Sequence, residues 1–198
     1  AEPDYMWYAI ENIPAPSIKS PEDMVNSLST VTPNDPRFGE MWGLNNTGQS
    51  SGLADADIDA PEAWSITKGT DTLIVGVIDT GIQTAHPDLA ANMWVNPGET
   101  AGDNIDNDGN GYVDDVHGWD FRNDDASVYD DANIDDHGTH VAGTIGAVSN
   151  NAAGITGIAW NVKIMSLKFL HNGGSTSDAI DAIQYAIDNG APMTPNTW

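Results

Sequence analysis

The stretch "TLIVGVID", residues 72–79, constrains the fold more than any other part of the chain. Its apolar residues follow one another without the polar alternation of a half-solvated strand, and most are β-branched. Such a run belongs to a strand buried on both faces, as in a parallel sheet. "VKIMSLKFL" (162–170) is a second strand candidate. "DIDAPEAWSITKG" (57–69) predicts a short helix with Pro61 in its first turn, where a missing N–H costs least, closed by Gly69. A helix of small residues is expected from about His137. "TSDAIDAIQYAIDNG" (176–190) predicts another, with Ala179, Ile183, Ala186 and Ile187 on one face and Ser177 as its cap. Strands alternating with helices imply an α/β fold with right-handed crossovers.

Residues 1–36 carry Pro3, Pro14, Pro16, Pro21, Pro33 and Pro36 with little periodicity and read as a tail or linker. The globular part is expected from about Val31 to the end, so the organisation is a tail over 1–30 and one domain over 31–198. The chain begins at Ala1, and the expectation is that an upstream part was removed or never included. Thirty acidic side chains stand against six lysines and arginines, a formal charge of -24, with a pI near 4.1. That surplus repels nucleic acid and anionic membranes and makes cations the natural partners. The chain has no cysteine, which excludes thiol catalysis and cysteine-bound zinc. No apolar run approaches the ~20 residues of a membrane span.

Function in parallel sheets gathers at the carboxyl ends of strands, and Asp79 ends the most apolar strand of the sequence, followed by "TGI". "IDDHGTHVAGTI" (134–145) places His137 and His140 three apart, on neighbouring parts of one helical face. A metal clamp, packed core histidines and a catalytic base all fit that spacing. A carboxylate at Asp79 facing His137 would hold one ring nitrogen and leave the other free as a base.

Between them, "IDNDGNGYVDD" (105–115) sets Asp106, Asp108 and Asn110 at alternate positions. Gly111, the Tyr112 carbonyl and Asp114 follow. Alternating oxygens converging on a hard cation, with a glycine for the sharp turn, open an EF-hand-type Ca2+ loop. Its twelfth position is His117 rather than Glu, so Asp115 or Asp103 would have to complete the cage.

"VIDTGIQTAHPDL" (77–89) and "DDHGTHVAGTI" (135–145) resemble the Asp and His motifs of the subtilisin-like serine proteases, the subtilases. "TPNDPRF", "WGLNNTGQ", "IDAPEAW", "NNAAGITGIAW" and "AIQYAIDNGA" resemble that family's catalytic domain in order and spacing, over about residues 31–191. The likeness is to the thermitase-like and related bacterial secreted branches. It implies a subtilisin-like parallel sheet flanked by helices, incomplete at the C-terminus, in a secreted serine endopeptidase. Asp79 would orient His137, and His137 would take a proton from a serine hydroxyl. The family's nucleophile lies in a downstream G-T-S motif that these residues do not contain, so the chain alone is expected not to hydrolyse peptides. The rival reading is a non-catalytic calcium-binding module or pseudoprotease.

The resemblance implies further expectations. Asp88, Asn151 and Asp35, with the carbonyls of Val148, Ala153 and Ile155, would bind a second Ca2+. Gly173 and Gly174 would lie in the edge segment that pairs with peptide substrate. "AEPDY" at the start resembles the end of a propeptide, which would be a partner of the folded domain. His140 is expected to be buried and bonded to backbone, and His86 to shape a turn. The family carries Gly where this chain has Asp136, a position that would strain Asp if φ were positive. Pro192 and Pro195 stand where the family has a buried strand, for which they are poor residues.

Overall fold

The computed structural model describes residues 29–196, so the tail expected over 1–30 lies almost wholly outside the described residues. Three parallel strands form the sheet: β1 (Gly69–Asp79), β2 (Gly118–Asp120) and β3 (Asn161–Lys168), in the order β1-β3-β2. β1 is exposed over its first residues and buried over its last five, so its apolar run enters the core as it nears Asp79. The register aligns Asp79 with Lys168 and Lys168 with Asp120, so three polar residues end the three strands side by side. β2 was not expected within the acidic loop region. It is three residues long, and it needs Gly118 at φ +123, where a Cβ would run into the Ser166 carbonyl.

Alternation along the strands divides the core in two. Val75 and Val77 of β1 with Val162 and Ile164 of β3 face one way, and helix α2 (Asp136–Gly146) covers them through Ala142. Ile78, Met165 and Leu167 face the other way, against helix α3 (Thr176–Asp188). The result is a helix–sheet–helix sandwich, the α/β architecture expected. α2 packs close because its contact residues are small: a Cβ on Gly146 would meet the Val162 side chain.

Helix α1 (Ala60–Ile66) has Pro61 in its first turn as expected, but it ends at Ile66. Gly69 opens β1 instead, with φ +91 and the Asn161 carbonyl too close for any Cβ. α1 joins Phe38 and Leu44 in a third cluster through Ala60 and Trp64, and the Trp64 indole donates to the Ile158 carbonyl.

Two expectations for α3 are corrected. Its cap is Ser175, whose hydroxyl accepts the Asp178 N–H at 3.1 Å, while Ser177 Oγ pairs with Ser175 Oγ. Its buried face is Ala179, Ala182, Tyr185 and Ala186, with Ile183 and Ile187 outside. The reason is the aromatic group of Tyr112, Trp119 and Phe121: Tyr185 packs edge-on against Tyr112 and Phe121, which turns the helix.

Beyond α3 the chain returns along the free edge of β1, bridging Val75 with Met193 and Ile78 with Asn196 in parallel. The Gly76 N–H donates to the Met193 carbonyl at 2.9 Å. Pro192 and Pro195 thus lie in a segment that pairs at two points and is not a continuous strand, as their missing donors require. No helix of the described residues is long and apolar enough to cross a membrane.

Candidate active site

Asp79 is completely buried at the end of β1, and its Oδ1 lies 2.7 Å from His137 Nδ1. Only an N–H can donate to a carboxylate, so in the neutral ring Nδ1 carries the proton and Nε2 keeps its lone pair. The imidazole is about half exposed (50%) while its partner is at 0%, which gives a buried acid end and a solvent-facing base end. Asp79 Oδ1 also accepts the Thr80 N–H at 2.7 Å.

The helix reaches the strand end because of one glycine. A Cβ on Gly138 would collide with the Gly81 carbonyl and approach Asp79 Cβ to 3.2 Å. With none there, the Gly138 N–H donates to Thr80 Oγ1 at 3.0 Å and Thr139 Oγ1 accepts the Gln83 N–H at 3.0 Å. The "HG" of the sequence is therefore a docking surface for "DTG". Asp136 is the first residue of α2 and is not among the residues with positive φ, so the strain considered for it does not arise.

Among the described residues, no serine hydroxyl is hydrogen-bonded to His137. Ser65, Ser127 and Ser149 bond locally, Ser175 and Ser177 pair with each other, and Ser166 Oγ is buried in the sheet. His140 is exposed rather than buried, and it lines a cleft of about 340 Å³ with His86, Leu89, Tyr129 and Thr139. His86 shapes its turn as expected, its Nδ1 accepting the Asp88 N–H at 3.2 Å.

In the acidic loop, carboxylate oxygens of Glu99, Asp106 and Asp108 lie within 4.8 Å of one another. Backbone N–H groups from Gly111, Gly109 and Asn110 hold the Asp106 carboxyl below its ordinary pKa despite some loss of hydration. Three converging anionic oxygens on a glycine-rich turn are a donor set that fits a hard cation. Glu99 was missed because it precedes the repeating spacing. Asn110 lies beside them, its amide donating to Asp108.

Other expected ligands have different partners. Asp114 accepts the N–H groups of Gly102, Asp103 and Asn104. Asp115 is buried and bonded to Asn96, Asn110 and Tyr185. Tyr112 donates its N–H to Asn110 Oδ1, and its ring joins the aromatic group. His117, at the twelfth position, bonds the Trp94 carbonyl.

The second expected set does converge. Asp35 and Asp88 are buried at 4% and 5%, although they are distant in sequence. Asp35 accepts the Asn150 and Asn151 N–H groups, and Asp88 accepts the Asn151 side-chain amide and the Ile155 N–H. The Val148 N–H donates to the Asp88 carbonyl, and the Ala153 N–H to Asn151 Oδ1. Two buried carboxylates facing one loop, with no Lys or Arg paired to them among the described residues, also fit a cation.

Gly173 and Gly174 lie between β3 and α3. Gly173 has φ +121 with open space around it, and Gly174 packs so closely on Phe169 that a Cβ would come within 2.7 Å of its ring.

Comparison with known proteins gives the family. A profile of the Subtilase family matches residues 70–198. The chain is 37% identical over 190 residues to an extracellular protease of Xanthomonas campestris, covering 91% of this chain and 31% of that protein. It is 36% identical over 164 residues to thermitase of Thermoactinomyces vulgaris, covering 82% and 46%. Among solved structures, a protease of Pseudoalteromonas arctica superposes with a TM-score of 0.54 at 32% identity, covering 79% of this chain and 44% of that one. The Aeromonas sobria serine protease, solved in complex with a chaperone, gives 0.57 at 27% identity, covering 82% and 24%. The chain thus spans less than half the length of each of these relatives.

Proposed function

We propose, from the premise that this chain belongs to the subtilase family, that it supplies the aspartate and histidine of a serine endopeptidase's catalytic triad. The single observation that carries the reading is the 2.7 Å contact between a fully buried Asp79 carboxylate and a half-exposed His137 ring. Asp79 fixes the tautomer and stabilises the imidazolium. His137 Nε2 takes the proton of a serine hydroxyl as it attacks the peptide carbonyl, then returns it to the leaving amine. The absence of a serine bonded to His137 among the described residues supports the further reading that these 198 residues alone do not hydrolyse peptides. Residues 31–198 are read as the front part of the peptidase domain, and the segment before them as the end of a propeptide that acts as its partner.

Peptide substrate would pair with the segment through Gly173 and Gly174, whose lack of side chains leaves the backbone accessible. Calcium would be held in the acidic loop by Glu99, Asp106, Asp108 and Asn110, and at the second site by Asp35, Asp88 and Asn151 with nearby carbonyls. When bound, it supplies positive charge that offsets the acidic surplus. Export from the cell is proposed from relatives named as extracellular proteases.

The test has two arms. An active-site serine probe should leave the 198-residue chain unlabelled. Within a whole protease, Asp79→Asn should lower kcat by about 10⁴-fold with little change in KM. A labelled isolated chain sinks the first part. A fully active Asp79→Asn enzyme sinks the second, and a whole protein without peptidase activity favours the non-catalytic alternative.

A further inference from the structure

The residue aligned with both Asp79 and Asp120 across the sheet is Lys168, and the chemistry above does not use it. Its side chain is wholly buried at the carboxyl end of β3. The ammonium lies 2.5 Å from Asp130 Oδ2, 3.0 Å from Asp135 Oδ2 and 3.6 Å from Asp120 Oδ2. Asp120 and Asp135 are wholly buried too, while Asp130 reaches the surface. Burial alone would lower the lysine pKa. Hydrogen bonds to Asp130 and Asp135 and the charges of Asp135 and Asp120 outweigh it and hold the group above its ordinary value.

The Asp135 contact and the backbone pairing around Lys168 lead to two different supports of the His137–Asp79 pair. Asp135 immediately precedes α2, and its carbonyl accepts the Thr139 hydroxyl at 2.9 Å. Its Oδ2 takes the Asp130 and Asp131 N–H groups along with the ammonium. On the strand side, the Phe169 N–H donates to the Asp79 carbonyl at 3.0 Å, and the Lys168 carbonyl accepts the Phe121 N–H. The turn after Asp79 rests on the same pair: a Cβ on Gly81 would lie 3.0 Å from Lys168 Cδ and 3.2 Å from Asp135 Cγ.

We propose that Lys168 is a positioning residue for the catalytic pair: its buried ammonium, bonded to Asp135 and Asp130, fixes the start of α2 against the carboxyl end of β1. Without that charge three carboxylates would face one another across a few ångströms, two of them out of water. Repulsion would then drive the 130–135 segment outward and the first turn of α2 with it. An apolar side chain of equal length fills the space but does not hold the carboxylates together. The inference rests on reading Asp79 as the carboxylate that orients His137 as the catalytic base.

The test is proton NMR of the whole 198-residue chain with labelled histidine, well below the unfolding transition of each variant. The signal is the downfield His137 Nδ1–H bonded to Asp79. Lys168→Met should abolish it while leaving the fold, and Lys168→Arg should keep it. A role confined to stability would lower the melting temperature of Lys168→Met and leave the resonance in place, which overturns the proposal, as does its loss in Lys168→Arg. If Lys168→Met fails to fold, Asp135→Asn keeps the size and an acceptor oxygen but not the charge, and should lose the same signal; an unchanged signal there also overturns it. A wild-type chain without the resonance defeats the acid–base reading itself, which separates the two failures.

Discussion

Tyr185 Oη donates to Asp115 Oδ2 at 2.5 Å, joining the middle of α3 to the base of the acidic loop through a bond buried at both ends. Asp115 keeps the Asn96 and Asn110 amides when that hydroxyl is removed. Tyr185→Phe should therefore destabilise the chain by about 1–3 kcal/mol without unfolding it, measured by urea denaturation.

Alkali should act on the same bond and on Lys168. Burial raises the Tyr185 pKa, with the Asp115 hydrogen bond and charge adding to it, and the partners of Lys168 raise the lysine pKa against its loss of hydration. A raised pKa means the native state holds its proton more tightly, so stability falls with rising pH once the unfolded chain starts to release protons. That window opens near the ordinary values of 10.0 and 10.5. The melting temperature should be flat in this respect below about pH 9 and decline above it, and Tyr185→Phe should flatten part of the decline.

Two glycines of α2 should respond to alanine with opposite signs. Gly138→Ala must push the helix off the Gly81 carbonyl, costing about 1–3 kcal/mol and breaking the His137–Asp79 bond. Gly143→Ala meets only Ile155 Cδ1 at 3.6 Å, an ordinary contact, and should stabilise by roughly 0.4–1 kcal/mol. Thermal unfolding of both variants checks the pair.

Calcium should raise the melting temperature and a chelator should lower it. At a hundredfold excess over Kd each site would add about 2.7 kcal/mol. Glu99→Gln should weaken calcium binding at the acidic loop and Asp35→Asn at the other site, resolved as separate steps by titration calorimetry. Equal melting curves with and without chelator would exclude both.

The strands β1 and β3 and the partnership of Asp79 with His137 were legible because continuous apolar runs and a motif with a fixed chemical purpose leave few alternatives. β2 was not, since its three residues lie among turn formers and gain strand geometry only from the β3 edge. The face of α3 was misread because Ile183 and Ile187 are more apolar than Tyr185, yet the aromatic neighbours that claim Tyr185 come from residues more than 60 positions away. Lys168 inside "VKIMSLKFL" drew no reading of its own from the sequence. Its meaning depends on Asp120, Asp130 and Asp135, which only the folded chain brings to it.

The returning segment at the β1 border has a consequence for how such molecules behave in concentrated solution. Met193 directs its carbonyl inward to Gly76, so its neighbour Pro192 faces outward. Pro192 presents no amide hydrogen to that rim. A second copy seeking to extend the sheet there would meet a missing donor, which discourages intermolecular strand stacking and the aggregation that follows from it.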